Sequence, residues 1–120
     1  MVMRMAKFAN PGALRTPVKF IRIDRTNDSD GYPIETEVDV FGQPVMCAWV
    51  NVHGNEVFTA MQMQLREPAT LTTRYSPLIN QKLLIYKGSD PDPYEVISID
   101  DIGERHVWLE IKVQRATEAV

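Results

Sequence analysis

One cysteine, Cys47, is too few for an internal disulfide, so nothing in the chain calls for an oxidising compartment. No apolar run approaches the ~20 residues that span a bilayer. Met1–Ala9 is basic but has no apolar core of signal-peptide length, so a soluble, intracellular protein is expected. Positive charge is also in short supply. Lys and Arg number 13 against 16 Asp and Glu, and a net charge of −3 weighs against a general nucleic-acid binder. No G-x-S-x-G, Walker or G-x-G-x-x-G signature occurs. His53 and His106 lie far apart, and neither has a Cys, His or carboxylate partner at zinc spacing. Asp90, Asp92, Asp100 and Asp101 read as turn residues that keep loops solvated, not as an acid–base pair. No catalytic residue, metal or cofactor is therefore expected. Helical periodicity is scarce as well, confined to the surroundings of Phe58, which excludes a helical bundle and a Rossmann-like fold.

What the chain does have is short alternating runs between Gly, Pro and Asp turns. Val18–Arg25 is β-branched and aromatic, with Pro17 read as the block just before it. Ile34–Phe41 places Ile34, Thr36, Val38 and Val40 on an inward face and Glu35, Glu37 and Asp39 outside. Val45–His53 alternates, with Cys47 read as a half-buried, inert thiol. Ala69–Tyr75 and Lys82–Lys87 follow. Tyr94–Asp100 is read with Tyr94, Val96 and Ser98 on one face and Ile97 and Ile99 on the other. His106–Arg115 has the cleanest alternation, with Val107, Leu109, Ile111 and Val113 inward. Six or seven short strands in 120 residues make an all-β fold, a small barrel or sandwich, with one short helix or long loop inserted near the middle. The expected organisation is an arm over 1–17, the β-barrel domain over 18–115 and a flexible tail over 116–120.

The insertion is the segment that fits two periodicities. After Gly54, Asn55 and Glu56 resemble a helix N-cap with an acid in the first turn. Phe58, Met61 and Leu65 then share a helical face. Met61, Met63 and Leu65 also alternate with Gln62 and Gln64 as a strand would. No charge occurs from Val57 to Leu65, and Pro68 stops any helix beyond. One reading is a segment able to change form; the other is a short helix of Val57, Phe58, Met61 and Leu65 covering an open barrel end.

Charge is segregated along the first third of the chain. Arg4, Lys7, Arg15, Lys19, Arg22 and Arg25 precede Asp28, Asp30, Glu35, Glu37 and Asp39. An ordinary solvated hairpin accounts for this; so does a pair of complementary docking surfaces. Candidate partner contacts are Arg4, Lys7, Arg15, Arg25, Asn27, Asp28, Asp30 and Tyr32. Thr26, Asp28, Asp30, Gly31 and Glu37 come near the spacing of a calcium loop. Thr26 stands where an Asp is needed, however, and the flanks alternate as strands rather than helices.

The ordered series of pieces resembles a known family. Asn10-Pro11-Gly12 and Leu14-Arg15 precede the first strand, and Asp30-Gly31-Tyr32-Pro33 opens a hairpin. Ala48-Trp49-Val50, then Glu56, Phe58 and Ala60 ahead of Gln62 and Gln64, then Thr73-Arg74-Tyr75 follow. Leu84-Ile85-Tyr86 with Gly88, Tyr94-Glu95-Val96-Ile97 and Leu109-Glu110-Ile111 complete the set. Over about Asn10–Arg115 the chain resembles the head–tail joining, or head-closure (stopper), proteins of tailed bacteriophages. The extra lead Met1–Ala9 and the lengthened Gly88–Pro93 turn depart from that pattern.

The resemblance implies a structural virion protein at the head–tail interface, assembled in the host cytoplasm. It implies a ring, dodecameric in the virion and monomeric alone, between portal-adaptor ring proteins and tail proteins. That ring would close the DNA channel after packaging and open at ejection, with DNA passing and no sequence-specific binding. The family's channel-facing excursion corresponds to Asn51–Leu65, so the gate candidates are Asn51, His53, Asn55, Glu56, Val57, Phe58, Met61, Gln62, Met63 and Gln64. The alternative from another class is a small β-barrel module binding nucleic acid or a protein. Stacking on Trp49, Trp108, Tyr75 or Tyr86 would serve single strands, although the charges around them are mixed in sign.

Overall fold

The computed structural model describes residues 14–51 and 65–116. Within them the chain forms seven antiparallel strands: β1 (Thr16–Asn27), β2 (Pro33–Asp39), β3 (Val45–Asn51), β4 (Ala69–Arg74), β5 (Leu84–Lys87), β6 (Tyr94–Asp101) and β7 (Trp108–Arg115). A single turn of 3-10 helix, Ile102–Glu104, is the helical element among the described residues. The spatial order is β2-β1-β3-β4-β7-β6-β5, and β1 also pairs with β5, closing six strands into a barrel. Closure removes the free edges that an open sheet would present. The fold is thus the barrel rather than the sandwich. The expected central helix or loop falls on residues 52–64, outside the described residues.

Strand β1 explains why one strand stays outside the barrel. At Val18 it is flanked by Val45 of β3 on one edge and Lys87 of β5 on the other. At Ile21 its partners are Leu84 of β5 and Asp39 of β2. β2 therefore follows β3 along the same edge of β1, and the far half of β1 leaves the barrel as a hairpin with β2. Pro17 lies inside β1, not ahead of it, in the short stretch paired with β3.

The core is the inner face of the six strands. Val18, Phe20, Cys47, Leu71, Ile85, Ile111 and Val113 are fully buried. Trp49, Leu71, Ile111 and Ile99 succeed one another across β3, β4, β7 and β6 in one continuous row. Phe20 meets Phe41 edge-on, with centroids 5.6 Å apart, at the barrel end from which the hairpin departs.

Four expectations need correction. Ile34 and Thr36 do not face inward: both are exposed, because β2 stands beyond the barrel and has no core beneath its first half. Val107 is half exposed, because the left-handed His106 (φ 57) re-aims the chain before β7 begins. In β6 the ladder slips between Val96 and Ser98, leaving Ile97 as a bulged residue. An extra residue inverts the alternation beyond it, so Val96 and Ile99, not Ile97 and Ile99, pack against the core. Cys47 is fully rather than half buried, and burial pushes its thiol pKa up to about 11.

Candidate functional site

Two groups of side chains, at opposite ends of the barrel, carry what the sequence singled out. At one end lie the end of β3 and the start of β4, from which residues 52–64 leave and to which they return. Asn51, the only gate candidate within the described residues, is the last residue of β3, paired with Ala69. Its side-chain oxygen accepts a hydrogen bond from the Trp49 indole at 3.0 Å. His53, Asn55, Glu56, Val57, Phe58, Met61, Gln62, Met63 and Gln64 lie outside the described residues.

The returning leg is tied down by Arg66. Its guanidinium donates to the Arg115 carbonyl from Nε at 3.1 Å and from Nη2 at 2.9 Å. Its backbone N–H donates to the Gln114 amide oxygen, and its own carbonyl accepts from the Arg115 N–H at 2.9 Å. Glu95 lies 3.6 Å from the same guanidinium. Arg115 extends the brace outward. It donates to the Asp90 carboxylate and to the Asp92 carbonyl, both at 2.7 Å, and lies 3.4 Å from Glu67. Glu67 holds a left-handed backbone, φ 43. The Arg115 guanidinium also rests 4.2 Å from the Tyr94 ring centre. Tyr94 meets Trp49 edge-on at 4.9 Å, and the Lys87 ammonium covers the Trp49 ring at 4.8 Å. The contacts form one continuous series: β3, β6, β7 and the segment before β4 are linked around the root of the excursion.

Electrostatics follow from these contacts. The Arg115 hydrogen bond, then the Asp92 N–H, hold the Asp90 carboxyl below its usual range. Arg115 is correspondingly held more firmly protonated, chiefly by Asp90. Tyr94 shifts upward, mainly through burial. Sequence reasoning missed this brace. In sequence Asp90 reads as a turn former and Arg115 as the end of an alternating strand. Pairing between residues 90, 66 and 115 is set by barrel closure, for which local sequence has no signal.

At the opposite end the β1–β2 hairpin projects. Asp28 organises its tip: one carboxylate oxygen accepts the N–H groups of Asp30 and Tyr32, each at 2.9 Å. The Asp28 carbonyl accepts from Gly31, and the Asp28 N–H donates to the Tyr32 carbonyl. Gly31 takes φ 85, which a side chain resists, and completes a three-residue loop of Ser29, Asp30 and Gly31. No group of three or more His, Cys, Asp or Glu that could hold a metal ion occurs among the described residues. Arg25 bonds Glu35 directly across the ladder at 2.8 Å, and Arg22 bonds Asp24 on its own strand, also at 2.8 Å. Part of the charge segregation is therefore neutralised within the hairpin. Asn27 closes β1 opposite Pro33, and Tyr32 is 69% exposed. The structure thus brings Arg25, Asn27, Asp28, Asp30 and Tyr32 together on one projection. Arg15 lies apart, just before β1, and Arg4 and Lys7 are outside the described residues.

Between the hairpin and the outer faces of β5 and β6 runs a cleft of about 1010 Å³, lined by Ile23, Glu35, Glu37, Lys82, Tyr86 and Glu95 among others. The Tyr86 hydroxyl donates to Glu37 across it at 3.2 Å. A smaller groove of about 420 Å³ lies between Phe41, Val45, Met46, Tyr75 and Ile79. Of the four aromatics named for stacking on single-stranded nucleic acid, two are covered: Trp49 as above, and Trp108, 8% exposed, beneath Arg74. No helix among the described residues is long and apolar enough to cross a membrane.

A small closed barrel with a braced excursion at one end and a polar hairpin at the other defines an all-β module with two separate projections. Residues 9–116 match the family model of the phage head completion protein, and the chain belongs to that family. Membership makes it a structural component of the phage head–tail region, associated with the virion head. No curated protein matches the chain. Among solved structures, protein SF1141 from Shigella flexneri 2a is similar in fold, with a TM-score of 0.65 and 22% identity. The match covers 91% of this chain and 98% of that one.

Proposed function

We propose that this protein forms a ring in the head–tail connector of a tailed phage, closing the DNA channel after packaging and joining head to tail. It acts without catalysis and without a cofactor. The observation that carries the reading is the brace at the excursion's root. Arg66 and Arg115 fix the point at which residues 52–64 return to the barrel, and Trp49 with Asn51 marks where they leave. A segment that meets DNA under pressure needs firm footings, and nine consecutive residues without charge, Val57–Leu65, would neither grip nor repel a passing polyphosphate. Methionine at positions 61 and 63 adapts readily to packing against symmetry copies.

In this reading the excursions of all copies converge on the channel, with Asn51, His53, Asn55, Glu56, Val57, Phe58, Met61, Gln62, Met63 and Gln64 forming the gate. The hairpin tip, from Arg25 to Tyr32, and the Arg4–Arg15 arm meet portal-adaptor ring or tail proteins. The chain is monomeric before the adaptor templates the ring, and assembly takes place in the host cytoplasm. Deleting Glu56–Gln64 tests the gate. Heads carrying the deletion are expected to lose DNA before tails attach; heads that retain their genomes as wild type does overturn the gate.

A further inference from the structure

The β1–β2 hairpin keeps an apolar face after it has left the core. Residues opposite each other in a ladder share a face. The register sets Asp24 against Thr36 and Thr26 against Ile34, and the Asp28 N–H, donating to the Tyr32 carbonyl, extends the series to the tip. On β2 this face begins at Val40, which packs against the core. Further out Ile34 is 40% exposed and Tyr32 69%, with exposed Thr26 and Thr36 beside them. An inward-type alternation continued where no described residue lies beneath it marks a surface that another molecule covers. Tyr32 is also held ready for that. Its N–H is bound by the Asp28 carboxylate and its carbonyl by the Asp28 N–H, both at 2.9 Å. An exposed aromatic on a fixed backbone has little freedom left to lose on burial, which suits it to be an anchor.

Charge and size define what fits there. Arg22 is paired with Asp24 and Arg25 with Glu35, and the Asp28 carboxylate is turned into the tip. Asp30 remains beside the face, and residues 26–65 contain no Lys or Arg. Two copies meeting by this face would bring acid to acid, whereas a pocket with an apolar floor and a Lys or Arg lip is complementary. An aromatic side chain buries about 150–250 Å², so Tyr32 with Ile34 falls well short of the ~800 Å² per partner of a stable interface. A single copy cannot hold a partner by so small a face; a ring that presents every copy at once can, because the contacts act together. We propose, resting on the ring reading above, that Tyr32 and Ile34 are the anchors by which the assembled ring grips the tail. Each Tyr32 enters an apolar, basic-lipped pocket on a tail protein. The adaptor has to engage copies one at a time to template the ring, and it does so elsewhere on the chain.

The test uses the full chain with Tyr32→Ala, Tyr32→Phe, Ile34→Thr and Asp30→Lys, and Glu35→Gln on the opposite face as a control. The hydrogen bonds of Tyr32 in the turn are made by its backbone, and Thr keeps the β-branch of Ile34. Unchanged melting and unchanged amide exchange along β1 and β2 confirm the fold of each form. Heads completed with each form are mixed with purified tails, and joined particles are counted over time. DNA held before tails are added, and the amount of the protein in heads, are measured alongside. Tyr32→Ala and Ile34→Thr are each expected to slow joining at least about tenfold, since a loss at one copy recurs at every copy. DNA retention and incorporation into heads should stay at the wild-type level. Asp30→Lys should slow joining most at low ionic strength, where it opposes the basic lip. Tyr32→Phe and Glu35→Gln should join as wild type does. Joining of Tyr32→Ala or Ile34→Thr heads at the wild-type rate overturns the proposal, and so does Asp30→Lys joining no more slowly than wild type. A folded Tyr32→Ala protein that no longer enters heads puts the face against the adaptor or a neighbouring copy, which overturns it too. In each of these cases the ring reading stands so long as heads without the protein lose their DNA. Heads that keep DNA without it would instead remove the ring reading.

Discussion

Replacing Asp28 with alanine isolates what holds the hairpin tip. One carboxylate oxygen accepts two backbone N–H groups, from Asp30 and Tyr32, at 2.9 Å each. Both bonds are solvent-exposed, so each contributes at the lower end of the usual range, about 0.5 to 1 kcal/mol. Losing both should cost about 1 to 2 kcal/mol, but only locally. The hairpin can open while the six-stranded barrel stays closed, because β2 contributes no fully buried residue. The expected result is therefore specific. Amide exchange at hydrogen-bonded positions such as Thr26, Ile34 and Thr36 should accelerate roughly tenfold, while Leu71 and Ile111 exchange at unchanged rates. Asp28→Asn retains an oxygen acceptor and should restore most of the protection, separating hydrogen bonding from charge. Equal acceleration in core and hairpin would show that the hairpin is not an independent unit. No acceleration would show that Asp28 does not organise the turn.

Phe20→Ala should destabilise the barrel by about 3 to 5 kcal/mol, since a fully buried ring is removed and Phe41 loses its edge contact. A fall in melting temperature of more than about 10 °C would follow, and a fall of only one or two degrees would count against Phe20 as core. The depressed Asp90 pKa has a pH consequence. A carboxylate whose folded pKa lies below its unfolded value stabilises the native state above about pH 4. That contribution is lost as pH falls through the folded value. Acid titration of Arg115→Met should show a shallower loss over that range, and an unaltered profile would mean that the pair does not matter. Cys47, with its thiol at about 11 and no exposure, should resist thiol reagents at pH 8 until the protein unfolds. Rapid labelling of native protein would contradict its burial.

Local patterning carried the strands because it reports facing. Leu109, Ile111 and Val113 alternate inward as read, and Gly31 takes the hairpin turn expected of Asp30-Gly31. Two of the misreadings occur where facing depends on something distant. Ile34 looks like core in sequence, and is exposed only because β3 occupies the edge of β1 that β2 would otherwise follow into the barrel. Ile97 looks like a partner of Ile99, and is a bulge only because β6 must meet β7 in a curved sheet. The Arg66–Arg115 brace joins residues 49 positions apart, so neither residue stands out until the barrel closes. The hairpin tip was legible because its chemistry is local: an Asx-type acceptor two and four residues from its donors, and a glycine at the left-handed position.

The two projections differ in how they are held, and the difference suits different tasks. The excursion's root is fastened to β6 and β7 by charged, aromatic and backbone contacts at once, so strain applied to residues 52–64 passes into the closed ladder. The hairpin is fastened through a single ladder to β1 and by the Tyr86–Glu37 bond across the cleft. An element attached on one edge can shift to fit a partner without disturbing the barrel core, because none of its outer residues belong to that core. Weakening the two attachments should therefore have opposite consequences. Arg66→Ala is expected to compromise DNA retention while leaving partner joining intact. Tyr86→Phe is expected to alter partner affinity and leave retention unchanged. Particles from each variant, scored separately for packaged DNA and for attached tails, distinguish the two. If both variants lowered both quantities together, the separation of tasks between the barrel's ends would be wrong.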